Sequence, residues 1–434
     1  MTKSILWLAF FSNTKAERTE IMLNVNSALK SKSFTALWIG QMASRLGDSI
    51  MTVMLPLIVY SLSGSTLTMG FVMALMIIPQ VIFLPFTGLL VDRVSRVKVM
   101  IITDAIRFGF LITLTCLSAF GDLNTTVIYA YALLAGTMAA LFQPAYSAMR
   151  AQIFTADIRN SAISLTQMGE QLARLIGPSL GGVIVSFMSI SIGFGLDALT
   201  FLISIISLTT LKLASLPGNN SNLTVDDRAK HPVSRFAYDL LGGYRELRKH
   251  SWLWITILVF AFGNILTSGF TAILLPWLIK VHLNKPAYTY GLLVTANGLG
   301  SLVMGFMFSL RQTWHRRGII AYVGTSIAGI VFLTVTYVNW LPFMILAMAV
   351  NGAIFMLFGL IWESSLQEMI PLEFFGRVAS LDMMGSIALM PVGYILTGWL
   401  SEYLGGITTM AGEAIILTIL CLFSLMIPSI RKFD

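Results

Sequence analysis

Twelve stretches of this 434-residue chain are apolar over about 20 residues, the length a helix needs to cross the hydrocarbon core of a bilayer. They fall near 34–60, 68–91, 99–120, 126–148, 161–187 and 191–213, and then near 251–279, 288–310, 318–338, 342–366, 377–401 and 407–429. Inside lipid every backbone N–H and C=O needs a partner within its own segment, so runs of this length read as α-helices. Charge is correspondingly scarce. Asp, Glu, Lys and Arg make up 11% of the chain, against about 25% in a soluble domain. A soluble enzyme of this size could not cover its surface with so few charges. With 56% apolar residues, a disordered chain is excluded as well.

The basic residues set a topology. Three arginines (Arg45, Arg107 and Arg174) fall inside the apolar stretches, and Lys280 and Lys285 lie in one set of alternate loops. All other Lys and Arg lie in the opposite set of loops or at the two chain ends. Basic residues collect on the cytoplasmic side of membrane proteins, so both termini are expected in the cytoplasm and the number of spans is even. The net charge of +8 therefore reads as topology, and nucleic-acid binding is not expected. Ser4 to Phe11 is apolar but too short to span and lacks a small-residue cleavage site, so no signal peptide is expected. That segment suits the membrane surface, or a stretch ahead of a start at Met22.

The longest polar stretch divides the spans six and six. The expected organisation is a cytoplasmic segment (1–33), a first six-helix half (34–213), a cytoplasmic linker (214–250), a second six-helix half (251–430) and a tail (431–434). The halves are weakly similar at an offset of 216 or 217, with Gly88 closing the second span as Gly305 closes the eighth. Tandem halves are the mark of secondary transporters, whose substrate site lies at the midplane between them.

Three sequence patterns sharpen this. After the second span comes Gly88-Leu-Leu-Val-Asp92-Arg93-Val-Ser-Arg96. It resembles the signature loop of the major facilitator superfamily, with Ser95 where the family has glycine. The fifth span carries Gly177-Pro178-Ser-Leu-Gly181-Gly182, which resembles the antiporter motif of the drug:proton antiporter branch. Pro178 breaks its helix ladder, and the glycines admit a neighbouring helix. Leu37 to Asp48, with Phe142 to Asn160, is similar to the macrolide-efflux-like and siderophore-exporter-like group. The resemblance implies an all-α membrane protein of twelve transmembrane helices in two six-helix halves, the major facilitator fold. It implies that Gly88, Asp92, Arg93 and Arg96 form a cytoplasmic gating latch, with Asp92 docking on a helix N-terminus of the other half, that of the eleventh span. It further implies a multi-pass protein of the bacterial inner (plasma) membrane, acting as a monomer. No counterpart of the fifth-span motif is evident in the eleventh span.

Ionisable residues inside a span are costly, about 2.5–3.5 kcal/mol each at the bilayer centre, and so are functional candidates by default. Asp48, Glu170, Arg45 and Arg174 are the candidates for proton coupling. Arg45 and Asp48 lie i, i+3 on one helix, and Glu170 and Arg174 lie i, i+4 on another. Either these are intrahelical pairs that neutralise each other, or one carboxylate exchanges a proton as the cavity changes sides. Asp104 and Arg107 are expected to pair structurally. Asp197, Glu363, Asp382 and Glu413 are expected near span ends, as solvated ends or clasps between halves.

No catalytic site is expected. The four histidines (His231, His250, His282 and His315) are unclustered, so no metal site is expected, and Cys116 and Cys421 suggest no disulfide framework. No phosphate-binding glycine–lysine motif is present, so a proton gradient rather than ATP or a cofactor is the expected drive. The expected function is proton-coupled export of hydrophobic or amphipathic small molecules, of multidrug or macrolide type. A siderophore exporter or a lysolipid or lipid flippase would use the same architecture, and a non-transporting receptor or scaffold is the alternative of another class. The expected partners are a small-molecule substrate and membrane lipid.

Overall fold

The computed structural model describes residues 28–93, 95–211, 244–245, 247–310 and 314–431, and all regular structure among them is helical. Six helices form the first half: α1 (Lys32–Ser63), α2 (Thr66–Arg93), α3 (Arg96–Phe120), α4 (Thr125–Ile153), α5 (Arg159–Phe187) and α6 (Ile190–Thr210). The second half follows with α7 (Ser251–His282), α8 (Ala287–Ser309), α9 (Arg317–Tyr337), α10 (Leu341–Met369), α11 (Leu372–Ala388 and Met390–Leu404) and α12 (Gly406–Ser424). A short helix, Pro428–Arg431, ends the described chain. Eleven of these segments are long and apolar enough to cross a membrane. The twelfth, α5, has 29 residues, but Gln167, Glu170, Gln171 and Arg174 dilute its apolar run.

Local chemistry explains where the helices stop and bend. Gly64 closes α1 at φ +65° and Gly121 closes α3 at φ +82°, a left-handed conformation that glycine adopts without a Cβ penalty. Asn124 and Ser189 cap α4 and α6, accepting from Val127 N and Ile192 N. Proline shapes two helices. Pro276 cannot donate to the ladder of α7, which takes up the misfit in π turns at Phe270–Leu274 and Leu278–His282. Pro391 likewise interrupts α11 at Leu389, so the eleventh span is two segments rather than one.

One sequence expectation changes here. Gly88, Asp92 and Arg93 do not sit in a loop, because α2 runs on through Arg93 and only residues 94 and 95 separate it from α3. Twenty-eight residues of helix extend about 42 Å, longer than a hydrocarbon core of about 30 Å, so the last turns of α2 can carry the charged motif in water. The side chains of Gly88, Asp92 and Arg93 lie outside the described structure, as does most of the linker. Arg96 opens α3 and is half-buried.

Each half has its own apolar core. Met54, Ile58, Met69, Leu111, Leu114, Phe194 and Phe201 pack in the first, and Phe270, Leu293, Phe332, Met344, Met348 and Leu417 in the second. The cores interlock where α1 meets α7: Ile273 packs into the first, and Val53 and Leu57 into the second. Isoleucine and phenylalanine side chains such as Phe120, Ile206, Phe262 and Ile419 stay exposed on the outside of the bundle, where lipid would cover them.

The end of the bundle that carries Lys32 and Arg431 is the terminal face, and the opposite end is the distal face. Among the described residues, the hydrogen bonds between halves lie towards the distal face. Thr66 Oγ1 donates to Gly398 O at 3.1 Å, Ser179 and Thr295 hydroxyls meet at 2.7 Å, and Tyr288 N donates to Ser186 Oγ at 2.8 Å. The halves are thus closed together distally.

Candidate substrate cavity and coupling site

A cavity of about 380 Å³ lies at mid-bundle, chiefly inside the first half. Its apolar lining is adaptable: Met51, Leu55, Met73, Met76 and Phe201. Its polar lining is Arg45, Asp48, Thr52, Gln80, Arg107 and Tyr131, and the second half contributes Ala272 and Tyr394. Close helix contact builds this wall. A side-chain carbon at Gly136 of α4 would strike the Met76 carbonyl, so glycine there brings α2 and α4 together beside Met76 and Gln80. An apolar crevice of about 210 Å³ adjoins the cavity, sharing Gln80 and Ala139 and reaching Met383, Met384 and Ile387 of α11.

Of the two intrahelical pairs expected, Glu170–Arg174 forms and Arg45–Asp48 does not. Glu170 sits between two guanidiniums: Arg45 Nε of α1 lies 3.8 Å from Oε1, and Arg174 Nη2 of its own helix lies 4.0 Å from Oε2. Arg45 also donates to Gln143 Oε1 at 3.3 Å. It makes no ion pair with Asp48, and the reason lies in helix geometry. Side chains lean towards the helix N-terminus, so an acid preceding a base meets it well and the reverse order does not. Glu170–Arg174 has the favourable order and Arg45–Asp48 the unfavourable one. Asp48 is left exposed on the cavity wall, without an ion pair or hydrogen bond among the described residues.

The expected Asp104–Arg107 pair is likewise not formed. Ser204 Oγ donates to the buried Asp104 at 2.7 Å. Arg107 donates to Ala135 O at 3.2 Å, stacks over the Phe201 ring at 5.3 Å and faces the cavity, with its Nε unpartnered. A buried carbonyl and an aromatic face satisfy the guanidinium instead of the carboxylate. Asp197 is not a solvated end. It is buried two turns inside α6, against Gly47 and next to the Asp48 position, and accepts from Thr200 at 3.4 Å. Glu413 is buried within the second half and accepts from Thr397; Asp382 accepts from Trp362 Nε1 at 3.0 Å. Neither spans the halves. Arg107 and Asp197 are thus cavity or near-cavity charges that span position alone did not flag.

The fifth-span motif serves two neighbours. An added carbon at Gly177 would come within 3.0 Å of the Ser49 backbone, and one at Gly181 within 2.6 Å of Ile50 O, both on α1. At Gly182 it would come within 2.7 Å of Tyr288 Cα on α8, in the other half, and the Pro178 carbonyl lies against Gly291 of the same helix. The motif therefore packs α5 both to the cavity-lining helix of its own half and across the distal closure. Among the described residues no cluster of His, Cys, Asp or Glu is arranged to hold a metal.

The sequence pattern of the transmembrane secretion effector family matches residues 25–434. The chain belongs to that family. It lies within the major facilitator superfamily, whose members are membrane transporters and not enzymes. Macrolide efflux protein A of Streptococcus pyogenes is 21% identical over 408 residues, covering 92% of this chain and 97% of that protein. The multidrug efflux pump Tap of Mycolicibacterium fortuitum is 21% identical over 403 residues, covering 89% and 94%. Among solved structures, a bacterial homologue of the iron transporter ferroportin in its inward-facing state superposes with a TM-score of 0.64 at 13% identity, covering 90% and 98%. At that identity the likeness is one of fold. This family member is accordingly a multi-pass membrane transporter.

Proposed function

We propose that the chain exports hydrophobic or amphipathic small molecules from the cytoplasm by alternating access, in exchange for protons. The observation that carries this reading is the mid-bundle cavity, in which the unpaired Asp48 and Arg45, itself paired with Glu170 behind it, share one wall with a methionine-rich apolar surface. Methionine is flexible and polarisable, so such a wall suits several ligands of differing shape. With the terminal face in the cytoplasm, as the distribution of Lys and Arg leads one to expect, a carrier closed at its distal face would load from the cytoplasm. A proton gradient, with no bound cofactor, would reset the carrier.

Asp48 and Glu170 are the proton-exchanging groups in this reading. As the halves rearrange, water access to Asp48 and Glu170 and the position of the Arg45 side chain change, so the two carboxylates exchange protons with a different side of the membrane in each state. The apolar crevice beside α11 supports a second reading with the same mechanism, a lipid or lysolipid flippase, because an amphiphile could reach the cavity sideways from the bilayer.

Expression in an efflux-deficient bacterial host tests export. Susceptibility to macrolides and lipophilic cations should fall, and accumulation of a fluorescent lipophilic dye should decrease, with reversal when the proton gradient is collapsed. Unchanged susceptibility and accumulation across such a panel, with the protein present in the membrane, would contradict the drug-export reading.

A further inference from the structure

The distal closure is built twice over. Gly182 of α5 lies against Tyr288 in the first turn of α8, and Gly398 of α11 lies against Leu67 in the first turn of α2, an added carbon coming within 2.7 and 2.9 Å of the respective Cα atoms. The carbonyl of Pro178 lies against Gly291, and that of Tyr394 against Gly70. Each feature thus recurs in the other half: 182 with 398 and 178 with 394 at an offset of 216, and 288 with 67 and 291 with 70 at an offset reversed in direction, of 221.

The same relation extends one turn further to a pair of polar contacts. Tyr288 N, the second N–H of α8, donates to Ser186 Oγ at 2.8 Å. Leu67 N, the second N–H of α2, donates to Glu402 Oε1 at 3.2 Å. Ser186 and Glu402 are themselves 216 positions apart. The first N–H groups of a helix have no partner inside it and carry the positive end of the helix dipole. Here each is met by a side chain from the opposite half. The two caps are unequal. Ser186 supplies a neutral hydroxyl to one N–H. Glu402 supplies a carboxylate, and accepts in addition from Ser65 Oγ at 2.5 Å, while that hydroxyl accepts from Thr68 N at 2.9 Å. A charged acceptor on a helix N-terminus is the stronger cap.

We propose that Ser186 and Glu402 form a quasi-twofold pair of inter-half helix caps that holds the distal gate closed, with Glu402 as the principal latch. Both contacts join different halves, so both must break when the distal face opens. Neither touches the cavity, and the inference does not depend on which substrate is carried. Glu402 is a positioning residue: it biases the closed arrangement and leaves substrate contact to the cavity.

The test reads the gate directly. Nitroxide labels on Phe120→Cys and Tyr337→Cys, at the exposed distal ends of α3 and α9, report the separation of the halves by pulsed electron spin resonance in lipid nanodiscs. Cys116→Ser and Cys421→Ala clear the background. Glu402→Ala should raise the population ratio of distal-open to distal-closed molecules roughly five- to tenfold, and Ser186→Ala roughly threefold. Glu402→Gln keeps an acceptor without the charge and should fall between the parent and Glu402→Ala; it also carries the test if the alanine variant does not fold. Unchanged distance distributions in the folded Glu402 variants, or a larger shift from Ser186→Ala than from Glu402→Ala, would overturn the proposal. Because the readout is a distance, its failure is separable from any failure of drug export.

Discussion

Glu170 holds two positive partners at 3.8 and 4.0 Å, yet the side chains of Arg45 and Arg174 are 33% and 71% exposed. Pairs this long and this wet contribute only about 0–1 kcal/mol to stability. Glu170→Gln and Asp48→Asn should therefore insert and fold with a loss of no more than about 1–2 kcal/mol. They should instead act on coupling: flux driven by an imposed pH gradient is expected to fall by tenfold or more for at least one of them, with gradient-free substrate exchange retained. Comparing the two fluxes in one proteoliposome preparation checks this. That these residues are ionisable and intramembrane was legible from the chain alone. The Glu170–Arg174 pair was legible from its i, i+4 spacing, whereas the Arg45–Glu170 pair was not, because it depends on which helix packs beside α1, and local spacing carries no information about that. Arg45 had Asp48 one turn away and reached across to α5 instead.

Among the helices, α5 separates two consequences that a single motif hides. Gly177 and Gly181 face α1 within the same half, while Gly182 faces α8 in the other. Gly177→Val would force backbone against backbone inside a half that does not come apart, at about 1–3 kcal/mol, so its main effect should be reduced expression and thermal stability. Gly182→Val meets its obstacle only in the distal-closed arrangement, so the variant should fold, sample the distal-open form more, and transport poorly. Gly398→Val should reproduce it by the quasi-twofold relation. Thermal unfolding in detergent, read beside a transport assay, distinguishes the classes: a stability loss for Gly182→Val equal to that for Gly177→Val would sink the distinction. The correspondence of Gly182 with Gly398 was hidden in the sequence. Residues 96–124, α3 with the turn after it, are five more than residues 317–340, α9 with its turn, so the offset falls from 221 at α2 and α8 to 216 at α5 and α11, and no single alignment of the halves shows it. The apolar periods that define the twelve spans were plainly legible, since hydrocarbon demands them. Even α5 was, despite the polar residues that loosen its pattern. At the terminal end of α2, Asp92→Asn is expected to cripple transport at normal membrane levels, as a carboxylate meant for a helix N-terminus in the other half; wild-type rates in that variant would remove Asp92 from the gating account.

At the scale of the whole molecule, the two halves close distally through small residues, helix caps and the α1–α7 contact, and they share a charged, methionine-rich cavity. Alternating access requires the distal contacts to be exchanged for terminal ones, and a bias of about 1.4 kcal/mol shifts that equilibrium tenfold. Coupling requires the cavity carboxylates to feel the exchange. The most direct measurement is substrate flux into proteoliposomes under an imposed pH gradient of either sign, for the wild type beside Asp48→Asn and Glu170→Gln. The wild type should accumulate substrate against its gradient on the acidic side, reverse direction when the pH gradient is reversed, and lose accumulation in at least one carboxylate variant that still exchanges substrate. Wild-type flux that ignores the pH gradient, or full accumulation in both variants, would contradict proton-coupled export through this cavity.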